Sequence, residues 1–251
     1  ENYTALIKTI IFFSNNINNK IVFLIIVQTN HIYKIKYPKN RISVLFSNSI
    51  GLSVSRNIAL NNVNTKWIWF QDDDIMLNVP KLNQLITSLQ KSSSDIFLTK
   101  VLSLESKNDY YKNYSFYNFS KKRIALHVSS IEIIANINFI KKNKVWFCPH
   151  LGLGAKYPLG EENLFLLKII NNGGKIYLSN IPSCFHTTKN RNNIKNNNLN
   201  SYNIGRGILL KEFLFISAFF IGLKWILNEN SFRKKINTLK FILKGYCMKN
   251  L

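Results

Sequence analysis

The sequence predicts an α/β fold, a sandwich with a mixed, mainly parallel sheet, and three observations predict it. The runs KIVFLIIVQTN (Lys20 to Asn30) and KWIWF (Lys66 to Phe70) are continuous β-branched and aromatic stretches, which read as strands buried on both faces. Segments with apolar residues at helical spacing lie between such runs. Strand-like and helix-like segments alternate through the first 188 residues, as they do where crossover helices join parallel strands. With 251 residues the chain can bury one substantial core, and an apolar content of 46% excludes a disordered basic tail.

In chain order, Thr4 to Asn15 carries Leu6, Ile7, Ile10 and Ile11 at helical spacing. The strand over Lys20 to Asn30 follows, and a second is expected at Arg41 to Phe46. GLSVSRNIAL, Gly51 to Leu60, reads as a glycine turn opening a helix, with Ser53 or Ser55 near its N-cap. The strand at Lys66 to Phe70 runs into an aspartate cluster. Pro80 fits the first turn of a helix from Pro80 to Gln90 whose inner face is Leu82, Leu85, Ile86 and Leu89. A strand is expected over Asp95 to Leu104, then a Tyr-rich surface excursion from Glu105 to Arg123, then apolar segments from Ile124 to Phe139. Glu161 to Asn171 reads as a helix stopped by Gly173 and Gly174, and KIYLSNI as the strand after it. The expected organisation is a main domain over 1–188, an Asn-rich linker or loop over 189–205, and a helical basic tail over 206–251.

The chain has 34 Lys and Arg against 12 Asp and Glu, a formal charge of +22. Such a surface attracts anions: nucleic acid, anionic lipid or a phosphorylated substrate. The charges stand singly among apolar residues, so a solvated basic surface accounts for most of them. The tail from Arg206 to Leu251 is denser, with nine basic residues against Glu212 and Glu229, a net of +7. Its run FLFISAFFIGL is too short to span a bilayer, which takes about 20 apolar residues in a helix. The tail therefore reads either as a segment lying on an anionic membrane surface or as a helical hairpin covering the core. Cys148, Cys184 and Cys247 are odd in number and lack metal-type spacing, which fits a reduced, cytoplasmic setting. No signal-peptide pattern opens the chain.

Five of the 12 acids fall in two clusters: Asp72, Asp73 and Asp74 in WIWFQDDDIML, and Glu161 and Glu162 in YPLGEENLFLL. Adjacent carboxylates repel one another unless a cation answers them. At the end of a buried strand they suit a divalent cation, which takes one or two protein carboxylates together with substrate phosphates. Taken alone, DDD also fits an exposed acidic turn with Asp74 or Asn78 capping the next helix, and Glu161 and Glu162 fit ordinary helix N-terminal charge.

The order of these segments, GLSVSRN, strand, aspartate cluster, then GEE opening a helix, then a strand ending in His186, resembles the family 2 glycosyltransferases of the GT-A fold, a Rossmann-like nucleotide-diphospho-sugar transferase architecture. The resemblance runs from about Thr4 to His186 and is closest to bacterial transferases that build capsule, O-antigen or other surface polysaccharide. It implies a metal-dependent, inverting transferase (a hexosyltransferase) that moves a sugar from a nucleotide-diphosphate sugar, a UDP-sugar above all, to a glycan or lipid-linked acceptor. The implied setting is peripheral, at the inner face of the bacterial membrane, with no nucleic-acid partner. Asp72 and Asp74 match its DxD positions, with Mn2+ or Mg2+ as the expected cofactor and His186 as a third ligand. Asp72 and Asp73 also fall on the donor side, as does Arg56 at a helix start that favours phosphate. Glu162 matches the catalytic base and Glu161 is the runner-up. His150, Trp146 and Tyr157 are candidates for the acceptor side. The family's first strand, ending in Pro-Thr-Tyr-Asn or a relative, is not found before Thr4 and is expected to be missing. The next strand ends in Gln28, Thr29 and Asn30 where acids are usual, which gives Gln28 the role of binding the base. Two other readings are an inactive or truncated member of the same fold and a metal-dependent phosphoryl-transfer enzyme acting on nucleic acid.

Overall fold

The computed structural model describes residues 20–30, 40–188 and 199–248. The helix expected over Thr4 to Asn15 lies outside them. Strands β1 (Phe23–Gln28) and β2 (Ile42–Ser47) pair in parallel, Phe23 opposite Ile42 through Gln28 opposite Ser47. Among the described residues this pair is a sheet of its own. That limits its enclosure: only Ile25 of β1 is buried, so the expectation of a strand buried on both faces is not met here.

Helix α1 (Leu52–Asn62) starts at Gly51, whose φ of 127° is a backbone state that L side chains rarely adopt. Neither serine caps it, contrary to expectation. Ser53 lies inside the first turn and its Oγ donates to the Leu151 carbonyl at 2.6 Å, while Ser55 Oγ donates back to Leu52. Ser53 thus stitches α1 to the loop that leads toward the paired glutamates.

The second sheet has five strands: β3 (Trp67–Trp69), β4 (Met76–Leu77), β5 (Ile96–Ser103), β6 (Ile133–Asn136) and β7 (Ile176–His186). Their spatial order is β3-β6-β5-β7-β4. β5 and β7 pair in parallel, whereas β3–β6, β5–β6 and β4–β7 are antiparallel. The sheet is mixed, as expected, with more antiparallel pairing than the strand–helix alternation alone suggests, because β4 and β6 are short return strands rather than products of a helical crossover. Helix α2 (Val79–Lys91) carries Pro80 in its first turn and buries Leu82 and Leu85. The Tyr-rich stretch expected on the surface instead contributes Tyr114 and Phe116 to the core, before the short helix α3 (Lys121–Ala125). β6 is followed by α4 (Ile137–Lys142), and α5 (Glu161–Asn171) spans the predicted residues.

Three aromatic rings link the two acid-bearing segments. Phe147 stacks on Phe165 of α5 with centroids 4.2 Å apart and an interplanar angle of 3°. Phe70, just after β3, stands perpendicular to both rings, its centroid 5.1 Å from that of Phe147 and 5.8 Å from that of Phe165. Phe70 precedes Asp72 by two residues and Phe165 follows Glu162 by three, so burying these rings brings both clusters to one place.

Among the described residues three further helices follow: α6 (Leu199–Leu210), α7 (Phe215–Leu227) and α8 (Phe232–Cys247). α6 begins inside the expected linker, because Asn203, Ile204 and Gly205 are buried in a helix and not spread along a loop. α6 and α8 cross at glycines: a Cβ on Gly207 would stand 2.0 Å from the Ile242 carbonyl oxygen, and one on Gly245 2.1 Å from that of Ile204. α6 also packs under the loop before α5, where a Cβ on Gly160 would meet Leu209 at 3.0 Å. No helix of the described residues is long and apolar enough to cross a membrane.

Candidate active site

The end of β3 delivers Asp72 to Asp74 into a turn, and the end of β7 brings His186 against it. His186 Nε2 lies 3.3 Å from Asp74 Oδ1. One ligand atom from each of Asp72, Asp74 and His186 can be chosen so that all lie within 4.8 Å of one another. The other ring nitrogen, Nδ1, is 2.8 Å from the Thr187 carbonyl, which can only accept. Nδ1 must therefore donate there, which leaves Nε2 as the ring atom that faces the aspartates. Asp72 is half-buried and Asp74 exposed, which leaves one side of the cluster open. Two carboxylate oxygens and an imidazole on an open cluster fit a small divalent cation that keeps further positions for water or phosphate.

The segment after His186 is pinned by Glu105. Its carboxylate accepts from the Thr187 hydroxyl, the Thr188 hydroxyl and amide, and the Ser103 hydroxyl. Hydrogen bonds from Thr187 and then Ser103 hold its pKa down at about 2. The rings of Tyr111 and His186 meet edge to face, with centroids 5.0 Å apart. No motif in the sequence marked either residue, because each reaches His186 only through the folded sheet.

Arg56 joins the two clusters. Its Nη1 donates to Glu161 Oε1 at 3.1 Å and its Nη2 lies 3.4 Å from Asp72 Oδ1. The guanidinium also stands over the Phe147 ring at 5.4 Å. Arg56 was expected on the nucleotide side; its contacts make it a bridge between the aspartate turn and the helix that starts with the glutamates. Glu161 is buried, and the chain passes it so closely that a Cβ on Gly152 would be 2.9 Å from its carboxyl carbon. Only glycine fits at that crossing, where φ is +103°.

The carboxyls differ in character. Burial first, then the neighbouring Glu161 carboxylate, pushes Glu162 well above the usual carboxylate range, with Arg56 opposing. Burial also raises Asp72, again opposed first by Arg56. Glu161 is tied up by its ion pair, whereas Glu162 is half-buried and faces no basic partner in the ion pairs among the described residues.

The remaining expected site residues lie as follows. Gln28 ends β1 and donates from Nε2 to the carbonyls of Ser49 and Gly51, both at 2.9 Å. It fastens the turn before α1 and leaves its carbonyl oxygen as the free end. Asp73 and His150 are exposed, and Trp146 is half-buried against the core. Tyr157 is a correction: only 4% exposed, it packs in the main core with its hydroxyl against Met248 Sδ, so its ring has no face to offer a sugar.

Comparison with known proteins gives the family and the fold. Residues 27–156 match the family described as glycosyl transferase family 2. That stretch contains Gln28, Arg56 and the aspartate turn and stops short of Glu161, Glu162 and His186. No curated protein matches the chain by sequence. Among solved structures, residues 1–349 of S. aureus TarS superpose with a TM-score of 0.53 at 17% identity, over 82% of this chain and 55% of that one. The same protein in complex with UDP-GlcNAc gives a TM-score of 0.54 at 17% identity, over 82% of this chain and 56% of that one. Its complex with UDP gives 0.52 at 17% identity, over 83% and 56%. The chain thus spans about half the length of these structures, and at that identity the likeness is one of fold.

Proposed function

The chain belongs to glycosyl transferase family 2, and from that premise we propose that it moves a sugar from a nucleotide-diphosphate sugar to an acceptor hydroxyl with inversion at the anomeric carbon. The observation that carries this reading is Arg56 bonded to Glu161 on one side and Asp72 on the other, which makes one site of an aspartate turn suited to a donor diphosphate and a glutamate suited to an acceptor. A UDP-sugar is the donor class, in keeping with a fold neighbour crystallised with UDP-GlcNAc and with UDP. The acceptor class is a glycan or a lipid-linked glycan of a bacterial surface polysaccharide.

Asp72, Asp74 and His186 would hold a divalent cation, Mn2+ or Mg2+, which when bound supplies positive charge to the departing diphosphate. Arg56 holds Asp72 in place and leaves Asp73 and Asp74 on the open side. Gln28 sets the turn that starts α1 and is the candidate for the base of the nucleotide. Glu162 takes the proton from the acceptor hydroxyl as that oxygen bonds to the anomeric carbon. The bond from that carbon to the diphosphate oxygen breaks, and its electron pair leaves with the nucleotide diphosphate. A carboxyl raised above its ordinary range is the stronger base for this task, being closer to neutrality. Glu161 fixes Arg56, and His150 and Trp146 stand on the acceptor side.

The test is a thermal-shift panel of UDP-, GDP- and dTDP-sugars with and without Mn2+, followed by release of nucleotide diphosphate in the presence of the best donor. Stabilisation by one nucleotide-sugar class, dependent on metal, is expected, because a ligand that binds only the folded state raises the melting temperature by mass action. A panel in which no nucleotide sugar shifts the transition would sink the proposal.

A further inference from the structure

We propose that α7 and α8 form a docking face for the surface of an anionic lipid bilayer. Among the described residues, eleven exposed large apolar side chains lie on or beside these two helices, against seven within residues 20–188. On α7, Phe215, Ile216, Phe219 and Phe220 are 58–73% exposed and form one stripe at helical spacing, while Ala218 and Gly222 face the protein. On α8, Phe232, Ile236, Leu239 and Leu243 recur at i, i+4, i+7 and i+11, again exposed, with Thr238, Ile242 and Gly245 buried on the opposite side. A patch of this extent on a folded protein marks a surface that another phase or molecule covers.

The charges choose the occupant. Arg233, Lys240 and Lys244 are exposed and follow the same i, i+7, i+11 spacing, one position beyond Phe232, Leu239 and Leu243. A basic row thus runs alongside the apolar stripe of α8, and α7 carries one further exposed basic residue, Lys224. From Phe213 to Met248 there are six basic residues, and the one acid, Glu229, is buried. Two copies pressed together through this face would bring like charges together without acids to answer them, whereas an anionic headgroup layer answers every one. α7 is apolar almost all round, yet its 13 residues reach only about 20 Å, against about 30 Å of hydrocarbon. It can lie in the interface and cannot cross it.

The face has a direct structural link to the acceptor side. α6, which crosses α8 at Gly207 and Gly245, packs on Gly160 and Leu159, the residues that lead into Glu161 and Glu162. Docking α7 and α8 on a bilayer would set that loop near the headgroups, where a lipid-linked acceptor is found. The docking itself does not depend on the transferase reading.

The experiment is co-sedimentation of the full chain with extruded vesicles, one set of phosphatidylcholine and one containing a third phosphatidylglycerol. Partitioning into the anionic vesicles at least roughly tenfold stronger than into the neutral ones is expected, since several basic residues would lie at the charged surface, and it should weaken in high salt. Two double variants are compared: Phe219→Ser with Phe220→Ser, and Lys240→Glu with Lys244→Glu. Each should lose roughly tenfold or more in partitioning while its circular dichroism melt and its thermal shift with donor stay unchanged. No preference for anionic vesicles, or undiminished partitioning by both variants, would overturn the proposal. So would a concentration-dependent dimer in analytical ultracentrifugation that the Phe219/Phe220 variant abolishes, which would assign the face to a second copy.

Discussion

Arg56 bonds Glu161 at 3.1 Å and reaches Asp72 at 3.4 Å, so one guanidinium carries both halves of the candidate site. The arginine and Glu161 are both more than nine-tenths buried, and the side chain of Asp72 is 34% exposed. The pair is buried deeply enough that neither member can lose the other and recover through water.

Arg56→Met is therefore expected to destabilise the protein by about 3–5 kcal/mol, the usual cost of leaving one member of a buried ion pair alone. Urea denaturation measures it. Adding Glu161→Gln to that variant should recover part of the loss, since the stranded charge is then gone. Arg56→Lys should recover little, because an ammonium cannot reach two carboxylates from the plane of a fork.

Glu162→Gln is expected to lower kcat by about 10²–10⁴, the range for loss of a general base. Its effect on stability should have the opposite sign to an ordinary deletion. The folded pKa of Glu162 is raised, so between the unfolded and folded values the folded state binds the extra proton. Stability contributed by the group is then greatest at acid pH and falls as pH rises through that window. At pH 8 the amide, which needs no proton, should melt no lower than the wild type and lose the pH dependence. For the wild-type enzyme, the acid limb of kcat/KM should lie above the ordinary carboxylate range. A limb at pH 4 to 4.5 would remove Glu162 from the role of base.

The sequence carried the elements whose signal is local. α5 occupies the predicted residues because leucines at helical spacing, a glycine before it and a glycine pair after it all act within one segment. The aspartate turn was visible as a rare acid cluster at the end of an aromatic strand. What could not be read there depends on contacts between distant residues. Tyr157 is a candidate for the acceptor side because nothing in its own segment says what covers it; helix α6 and Met248, some 50 to 90 positions on, bury it. Ser53 looked like a cap until the Leu151 carbonyl, 98 residues away, claimed its hydroxyl. Arg56 stands out in the sequence at the start of a helix, but its partner Glu161, 105 positions later, cannot be read there.

Removal of one side chain from the candidate metal site of Asp72, Asp74 and His186 should be read by the metal itself. Titrating Mn2+ into the wild type by calorimetry or thermal shift is expected to give saturable stabilisation, about 2.7 kcal/mol at a hundredfold excess over Kd. Asp74→Asn and His186→Ala should each abolish most of that gain; the metal-free melt should stay near the wild-type value for Asp74→Asn, because Asp74 is exposed, and fall for His186→Ala, because that ring is only 15% exposed and packs on Tyr111. Glu105→Gln tests the support behind the ligand. It leaves the three ligands in place but weakens the carboxylate that holds Thr187 and Thr188, and a fall of about 10-fold or more in Mn2+ affinity is expected.

Gly207→Ala tests whether the helical tail is part of the same body as the site. A methyl there would fall 2.0 Å from the Ile242 carbonyl oxygen and 2.8 Å from the Tyr246 amide nitrogen, both backbone atoms that no rotamer change can move. α6 and α8 must separate to admit it, at a cost on the order of 1–3 kcal/mol for overpacking, which a thermal melt would register. Gly222→Ala is the control: its Cβ would meet only the end of the Leu210 side chain at 3.3 Å, and the helix-forming gain of alanine offsets the slight crowding. Limited proteolysis should then cut Gly207→Ala, and not Gly222→Ala, within 199–248. Because Leu209 of α6 lies against Gly160, separating the helices also loosens the residue just before Glu161 and Glu162. Gly207→Ala should consequently lower kcat/KM for the acceptor more than it lowers donor-dependent stabilisation, since the aspartate turn rests on β3 and β7 and not on α6.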